Sequence, residues 1–331
     1  MRTRRERSDR SDAFAVAIRA SAWVGVVAVF SSYAMGEFGA GVWWMELFSH
    51  FRPHMLLGLA VCLLAFFFVR SRVGAIVTCC LLLMGCASVA SWVVPRPAAS
   101  ASGSPLRLCV ANVLTGNERF DETLDGIHAL APDLAVLIEV NKAMIERVRT
   151  DPRWRIEFEE VQRFSGWVVA IAPAEGGVRL DAARSVVLTP DTRNIPAIDM
   201  HLTHEGRSLR VLGVHARSPV SAGNAAQRNA QLGAIARWAV EATEPVVIAG
   251  DLNTTVWSHP YRGLERESGL RNAMRGRALR GTWPSVVPSP LRVGIDHVLY
   301  DDELVSLSRT LGDAGGSDHA PVLVELAWRT D

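Results

Sequence analysis

Cysteine is nearly absent from the C-terminal two-thirds of the sequence. Five cysteines occur in 331 residues, and four of them, Cys62, Cys79, Cys80 and Cys86, fall in the apolar N-terminal third. Cys109 is the one cysteine after residue 105, so no disulfide can form within that part. Oxidising compartments permit disulfides without requiring them, so the count does not fix the side of a membrane. Cys109 lies in an apolar run and is predicted to be a core residue.

The same part of the chain also lacks an excess of positive charge. Ten of the 35 basic and five of the 34 acidic residues precede Leu106, which leaves 25 basic and 29 acidic residues after it, a net charge of about −4. Proteins that bind DNA usually carry a positive excess or stripe. The composition therefore does not indicate a nucleic-acid-binding module, and no internal repeat is visible.

Long apolar runs occur only in the first hundred residues. They cover about residues 13–35, 53–69 and 73–94, each near the roughly 17 to 25 residues that cross a bilayer. A cleaved signal peptide is the alternative for the first run, but the sequence shows no small-residue cleavage site there. Arg19 is costly inside hydrocarbon, and a span that begins nearer Ser21 avoids that cost.

Arginines flank these apolar runs unevenly. Two arginines, Arg70 and Arg72, separate the second and third runs, and residues 1–12 form a basic N-terminus with Arg2, Arg4, Arg5, Arg7 and Arg10. The positive-inside rule places both segments in the cytoplasm. Because three passes put the chain ends on opposite sides, residues 106–331 are expected to lie outside the cytoplasmic (inner) membrane. Residues 95–105, rich in Ala, Ser, Gly and Pro, predict a short linker that keeps this domain near the membrane surface.

Short apolar runs that end in a polar residue predict buried strands in residues 106–331. The clearest are Leu106–Asn112, Asp133–Glu139, Leu209–His215 and Val246–Asp251, and further strands are expected at Val168–Ile171, Ser185–Leu188, Ala197–Leu202, Ile295–Tyr300 and Pro321–Leu326. Helical spacing marks Phe120–Leu130 and Ser221–Glu241, and residues 204–207 look like a hairpin turn. Many strands with a few helices between them suggest two packed sheets with helices outside.

Polar side chains recur where these strands end. They are Asn112, Glu139, His215, Asp251 with Asn253, and the run Ser317, Asp318 and His319. Carboxylate and amide oxygens suit a hard divalent cation such as Mg²⁺ or Mn²⁺. Two histidines and a spare carboxylate supply proton transfer and charge stabilisation around phosphorus. The pattern predicts metal-dependent cleavage of a phosphate ester.

Six short motifs carry a resemblance to a known family. They are CVAN, APDLAVLIEV, VLGVHA, VVIAGDLNT, GIDHVL and GGSDHAPV, in that order along the chain. Each alone is a weak signal, but six in order are specific. From about Leu106 to Leu326 the chain resembles the endonuclease, exonuclease and phosphatase superfamily, which has the deoxyribonuclease I-like fold. The resemblance implies an α/β protein, a four-layer α/β/β/α sandwich, here preceded by three transmembrane helices.

The resemblance also implies roles for individual residues. Glu139 resembles the metal-binding glutamate, with help from Asn112, and Asp318 would sit at or near the metal. Asp251 resembles the aspartate that positions or deprotonates the attacking water, and Asn253 the amide that stabilises developing negative charge. By the same resemblance, His215 and His319 would bind the scissile phosphate or transfer protons. Asp296 would orient His319.

Other interpretations exist for single residues. Asn112 and Glu139 could cap turns or helices, and Asp251 with Asn253 could be plain turn residues. Arg193 and Trp283 are candidates for substrate contact, although arginine is the usual base of this chain and tryptophan usually packs. His297 should point away from the site, because neighbouring strand residues face opposite sides.

Two departures from the family pattern bear on the substrate. Leu114 stands where many nucleases of the family carry an acidic residue, and VVAIAP after Gly166 stands in place of the common AILSR strand, which removes an arginine-bearing turn. His215 resembles the branch that holds deoxyribonuclease I, sphingomyelinases and inositol phosphatases.

Three functions remain open from the sequence. The first is a membrane-anchored, metal-dependent hydrolase of an extracytoplasmic phosphodiester or phosphomonoester, including a lipid headgroup. The others are an extracellular nuclease and an inactive domain that binds a phosphate-bearing ligand or a protein. The expected partners are the membrane and a phosphate-ester substrate, lipid or nucleic acid, and no feature predicts a protein partner. An apolar rim at the site would favour a lipid substrate, whereas an arginine stripe would favour nucleic acid.

The arginine placement generates a test of topology. Alkaline phosphatase fused after Asp331 should be active, because the phosphatase folds only outside the cytoplasm, and a cytoplasmic reporter fused at the same position should be silent. The reverse pattern would show that the domain faces the cytoplasm.

Overall fold

The structure is a computed structural model that describes residues 4–95, 100–160 and 167–330. It divides into two compact units, Met1–Ser91 and Trp92–Asp331.

The first unit is helical. Its α-helices are α1 (Arg4–Phe38), α2 (Trp43–Glu46), α3 (Arg52–Phe68) and α4 (Arg72–Val93), with a 3₁₀ turn at Leu47–Phe51. Three stretches are long and apolar enough to cross a membrane, namely Asp12–Phe38, Trp43–Phe68 and Arg72–Val93. The second stretch begins ten residues before the predicted start at residue 53, because α2, the 3₁₀ turn and α3 follow one another without a gap. Pro53 does not interrupt them, since it lies in the first turn of α3, where proline needs no amide hydrogen.

The second unit contains twelve named strands among its described residues. They are β1 (Ala101–Asn112), β2 (Leu134–Val140), β3 (Trp154–Glu160), β4 (Trp167–Pro173), β5 (Leu180–Val186), β6 (Ala197–His204), β7 (Arg207–His215), β8 (Val246–Asp251), β9 (Arg271–Asn272), β10 (Asp296–Tyr300), β11 (Leu304–Leu311) and β12 (Val322–Arg329). Its α-helices are α5 (Phe120–Ala129), α6 (Lys142–Thr150), α7 (Ala222–Glu241) and α8 (His259–Ser268).

These strands form two six-stranded sheets. The first has the order β11-β12-β1-β2-β4-β3 and the second the order β5-β6-β7-β8-β10-β9. Inward side chains of both sheets share one buried core, which contains Val110 and Val136 from the first and Val211 and Ala249 from the second. On the outer face of the first sheet, α5 and α6 bury a separate core. The predicted α/β/β/α sandwich is therefore confirmed.

Most predicted elements are present, with shifts at their ends. Strand β8 has the predicted bounds, whereas β5 begins at Leu180, five residues before its predicted start at Ser185. Strand β1 begins at Ala101, inside the predicted linker, because Ala101 and Ser102 pair with the end of β12 across a bulge. The hairpin between β6 and β7 turns at Glu205 and Gly206, both with positive φ.

The pairing pattern gathers strand ends at one edge. Strand β1 pairs in parallel with β2, and β7 pairs in parallel with β8, so each pair ends at the same edge of its sheet. Strands β10 and β12 run antiparallel to β8 and β1, so they begin where those strands end. Residues distant in sequence therefore meet at this edge.

Candidate active site

Three neighbouring strands of the second sheet each contribute a polar side chain directly opposite the next. His215 ends β7, Asp251 ends β8 and Asp296 begins β10, and Asp251 pairs with both of the others in register. Residues opposite each other in a sheet point to the same face. Sheet geometry thus places one imidazole and two carboxylates side by side.

The first sheet supplies an amide and a carboxylate to the same place. Asn112 Nδ2 donates to Glu139 Oε1 at 3.0 Å and to Asp251 Oδ2 at 3.2 Å, while Asn112 Oδ1 accepts from the Leu114 amide at 3.1 Å. Glu139 lies at a bulge in β2 with φ of 58°. Bulges and left-handed non-glycine residues re-aim side chains and concentrate at functional sites. The bulge turns Glu139 towards the second sheet, where its Oε1 lies 3.5 Å from His215 Nε2.

His319 is held by Asp296. Its Nδ1 lies 2.9 Å from Asp296 Oδ2, and its Nε2 lies 3.9 Å from Asp251 Oδ2. Burial lowers the pKa of His319, but the charges of Asp296, Asp251 and Asp318 outweigh burial and raise the pKa to about 10. This shift favours the cationic form of the imidazole at neutral pH.

Asp251 is the most crowded carboxylate of the site. Burial and the neighbouring charge of Asp296 raise its pKa to about 7, although His319 opposes that shift. Burial likewise lowers the pKa of His215, against the attraction of Glu139. Desolvation thus favours a neutral imidazole at His215 and makes Asp251 a more basic carboxylate than usual near pH 7.

A tight turn follows Asp251. The amide of Asn253 donates to Asp251 Oδ1 at 2.8 Å, and Asn253 Nδ2 donates to the Ala216 carbonyl at 2.9 Å. Asn253 has φ of 48°, in the left-handed region that asparagine tolerates. Before the turn, a Cβ at Gly250 would lie 1.9 Å from the Val214 carbonyl oxygen, so only glycine lets β8 pack this close to β7.

Hydrogen bonds to Asn112 and Trp283 hold the segment Ser317–His319 in place. Ser317 Oγ donates to the Asn112 carbonyl at 2.7 Å and accepts from the His319 amide at 3.1 Å. Asp318 Oδ2 accepts from the Trp283 indole at 2.9 Å. Gly315, with φ of 55°, begins this turn, and a Cβ there would lie 2.4 Å from the Thr123 backbone.

The family follows from a direct comparison. A model of the endonuclease/exonuclease/phosphatase family matches residues 109–319, well over half of the chain. The chain belongs to this family. Members of the endonuclease/exonuclease/phosphatase family are generally hydrolases that act on phosphodiester bonds, and they typically use divalent metals.

Solved structures share the fold at low sequence identity. D. rerio TDP2 complexed with single strand DNA product has 16% identity and a TM-score of 0.58, over 68% of this chain and 99% of that one. The human Nocturnin catalytic domain with bound sulfate anion has 18% identity and a TM-score of 0.55, over 69% and 96%. An endonuclease/exonuclease/phosphatase from Bacteroides vulgatus has 16% identity and a TM-score of 0.57, over 69% and 100%. No curated protein matches the sequence significantly.

Endonuclease/exonuclease/phosphatase proteins are named for phosphate-ester chemistry, and the donor set here fits a hard cation. The Asn112 amide touches the carboxylates of Glu139 and Asp251 at once, which concentrates oxygen ligands at one point. A second group, Asp251, Asp296 and His319, brings its ligand atoms within 4.8 Å of one another. Asp318 is outside that group, and its carboxylate faces Trp283.

The residues with weaker sequence signals separate into two groups. Trp283 lies beside the site through its bond to Asp318, whereas Arg193 is exposed after a short 3₁₀ turn at Pro190–Thr192. His297 points away from the site as predicted. Its Nε2 lies 2.8 Å from the Thr254 carbonyl oxygen, and its ring stacks on Tyr261.

Sequence reasoning missed two residues that hold the site loops. Arg228 is fully buried on α7 and donates from Nη1 to the Asn253 carbonyl at 3.0 Å. Gln231 Oε1 accepts from the Arg217 amide at 2.8 Å. A signal was available, since Ala225, Arg228 and Leu232 follow the three-to-four spacing of a buried helix face.

The His319–Asp296 contact generates a pH prediction. Asp296→Asn should lower the pKa of His319 from about 10 to near or below its usual 6.5, because burial then acts with less opposition. With the folded pKa above the unfolded one, the stabilising contribution of His319 is present below pH 6.5 and is lost as pH rises through about 10. Nitrogen-15 NMR of histidine-labelled protein in EDTA would measure both titrations. Asp302→Asn, a remote exposed change, is the control, and an unchanged His319 in Asp296→Asn would contradict the assignment.

Proposed function

We propose that this protein is a membrane-anchored, divalent-metal-dependent phosphoesterase that hydrolyses a phosphodiester or phosphomonoester outside the cytoplasm. The observation that carries the proposal is Asp251, a buried carboxylate with a pKa of about 7 that lies among Asn112, His215 and His319. A general base works best when its pKa is near the operating pH.

The roles of the side chains follow from their charge states. Asp251 accepts a proton from the attacking water as the water oxygen bonds to phosphorus, the ester P–O bond breaks, and the leaving oxygen departs and takes a proton from the medium. The His319 cation is oriented by Asp296 through Nδ1 and donates one charge-assisted hydrogen bond from Nε2 to a phosphate oxygen. Asn253 offers an amide to the charge that develops on phosphorus oxygens, and His215 contacts the same phosphate as a neutral donor. In-line displacement needs a nucleophile on one side and charge stabilisation around the equatorial oxygens.

Glu139, Asn112 and Asp318 are the residues that would hold Mg²⁺ or Mn²⁺. The bound ion would neutralise phosphate charge and polarise the P–O bond. Binding by Asn112 through its oxygen requires rotation of the amide, because Nδ2 faces the carboxylates here.

The three candidate membrane spans support the anchoring, and the arginine distribution supports an extracytoplasmic domain in the inner membrane. The domain organisation that we propose keeps the basic N-terminus in the cytoplasm, places the three spans within Asp12–Phe38, Trp43–Phe68 and Arg72–Val93, and begins the catalytic domain after a short linker, with β1 at Ala101.

An apolar rim beside the site favours an amphiphilic substrate. The rim consists of Trp283, Val286 and Leu291, whose side chains are 37%, 85% and 49% exposed. Arg292 braces this loop from within, since it donates to the carbonyls of Val287 and Ser285, each at 2.7 Å. These three apolar side chains are exposed on one loop, residues 283–291, and we propose that they form one binding surface.

The rim is joined to the catalytic residues. Trp283 donates to the Asp318 side chain, and the Ser285 amide donates to the Asp318 carbonyl at 2.7 Å. A phosphate at His319 would therefore have an apolar surface next to it. This arrangement suits a phosphate ester that bears an alkyl chain, such as a lipid headgroup ester, better than duplex DNA.

The first test concerns catalysis. Asp251→Ala or His319→Ala should lower kcat for methyl p-nitrophenyl phosphate by about a hundredfold or more, because each removes a group that acts in the transition state. EDTA should abolish the wild-type rate, and added Mg²⁺ or Mn²⁺ should restore it. The full chain in detergent is used, with circular dichroism as the folding control. A rate that survives EDTA would exclude the metal mechanism, and near-wild-type variants would exclude the site assignment.

The second test concerns the substrate. Wild type should hydrolyse octyl p-nitrophenyl phosphate with kcat/KM about tenfold or more above that of the methyl ester, since each buried CH₂ is worth about 0.8 kcal/mol. Val286→Ser and Leu291→Ser should reduce that preference by about threefold to tenfold and leave the methyl ester unaffected.

The matched control for the rim is Val240→Ser. Val240 is 64% exposed and lies near the end of α7, which leads from the site edge of β7 back to the far edge of β8. Its substitution should change neither ester. Equal rates for both esters in wild type would remove the apolar rim from the proposal, and supercoiled plasmid cleaved faster than either ester would favour the nuclease alternative.

A further inference from the structure

Two catalytic loops are fastened to one face of α7. One is the turn Asp251–Asn253 after β8, and the other is the segment that follows His215 at the end of β7. Resting on the proposed phosphoesterase function, we propose that Arg228 is a positioning residue that sets the orientation of the Asn253 side-chain amide.

The first contact is with the turn after β8. Arg228 is 0% exposed, and its Nη1 donates to the Asn253 carbonyl at 3.0 Å while its Nε donates to Asn229 Oδ1 at 2.9 Å. Burial of a guanidinium is costly, and an apolar side chain at this helix position would pack without that cost. The charge instead fixes a carbonyl of a left-handed turn, whose φ of 48° is intrinsically less favourable than a right-handed one.

The second contact holds the side chain of Asn253. Asn253 Nδ2 donates to the Ala216 carbonyl at 2.9 Å, and the N–H of the same peptide group, that of Arg217, donates to Gln231 Oε1 at 2.8 Å. Gln231 lies three residues after Arg228, so both side chains project from the same face of α7. Helix α7 therefore holds the Asn253 backbone through Arg228. Through Gln231 it also holds the Ala216–Arg217 peptide, whose carbonyl accepts the hydrogen bond from the Asn253 side chain.

Loss of Arg228 leaves the Asn253 carbonyl without this donor and releases the turn. The Asn253 amide then samples other orientations, and the donor that it offers to the developing charge is misplaced. A misplaced donor weakens transition-state stabilisation more than ground-state binding, so the loss should fall on kcat rather than on KM.

A double-mutant cycle tests this route with methyl p-nitrophenyl phosphate and the full chain. Arg228→Met should lower kcat by about thirtyfold and change KM by less than about threefold. Arg228→Lys keeps the charge and one donor, so it should lower kcat by only about fivefold. Arg237→Met, an exposed arginine on the same helix, is the matched control and should match wild type.

The deciding comparison is made in an Asn253→Ala background. If Arg228 acts through the Asn253 amide, Arg228→Met lowers kcat there by less than threefold, because coupled residues are not additive. A further loss of threefold or more, or a wild-type kcat for Arg228→Met, would overturn the proposal. If Arg228→Met does not fold, Arg228→Lys takes its place in the cycle, and a loss that persists undiminished without the Asn253 amide overturns the proposal. Wild-type protein that hydrolyses none of the esters would instead refute the proposed function, and this inference with it.

Discussion

The position of the Asn112 amide between two carboxylates is the constraint on which the site depends, because it joins the two sheets. Asn112 and Glu139 come from the first sheet and Asp251 from the second, and one side-chain nitrogen lies within 3.2 Å of an oxygen of each carboxylate. This contact is available only because parallel pairs end at one edge of each sheet. Face-to-face packing of the sheets then brings the two edges together.

Crowding of charge at that edge sets the chemistry. Asp251 and Asp296 are both buried and directly opposite each other, so they cannot both ionise at the ordinary cost. His319 relieves Asp296, whose pKa is lowered, and leaves Asp251 with a pKa of about 7. In the proposed mechanism, the neighbouring aspartates Asp251 and Asp296 therefore have different roles: Asp251 accepts a proton and Asp296 orients His319. The division of roles comes from burial and from which carboxylate contacts the imidazole.

The sequence predicted much of the fold and the site, because both depend on local patterns. Apolar runs ending in a polar residue located β8 correctly, and family motifs named the residues that meet at the edge. The pattern missed β3, in which charged residues alternate with apolar ones at an outer edge. It also missed Arg228, since a buried arginine is recognised only when its acceptor, a backbone carbonyl 25 residues away, is known. Likewise, the apolar rim depends on how the loop before Arg292 folds, which composition does not determine.

The central claim is that water attacks phosphorus at the edge where these strands meet. The most direct measurement is hydrolysis of methyl p-nitrophenyl phosphate by the full chain in oxygen-18 water with Mg²⁺, followed by mass spectrometry of both products. We expect a single oxygen-18 atom in methyl phosphate and none in p-nitrophenol. Oxygen-18 in p-nitrophenol, or its absence from methyl phosphate, would contradict it.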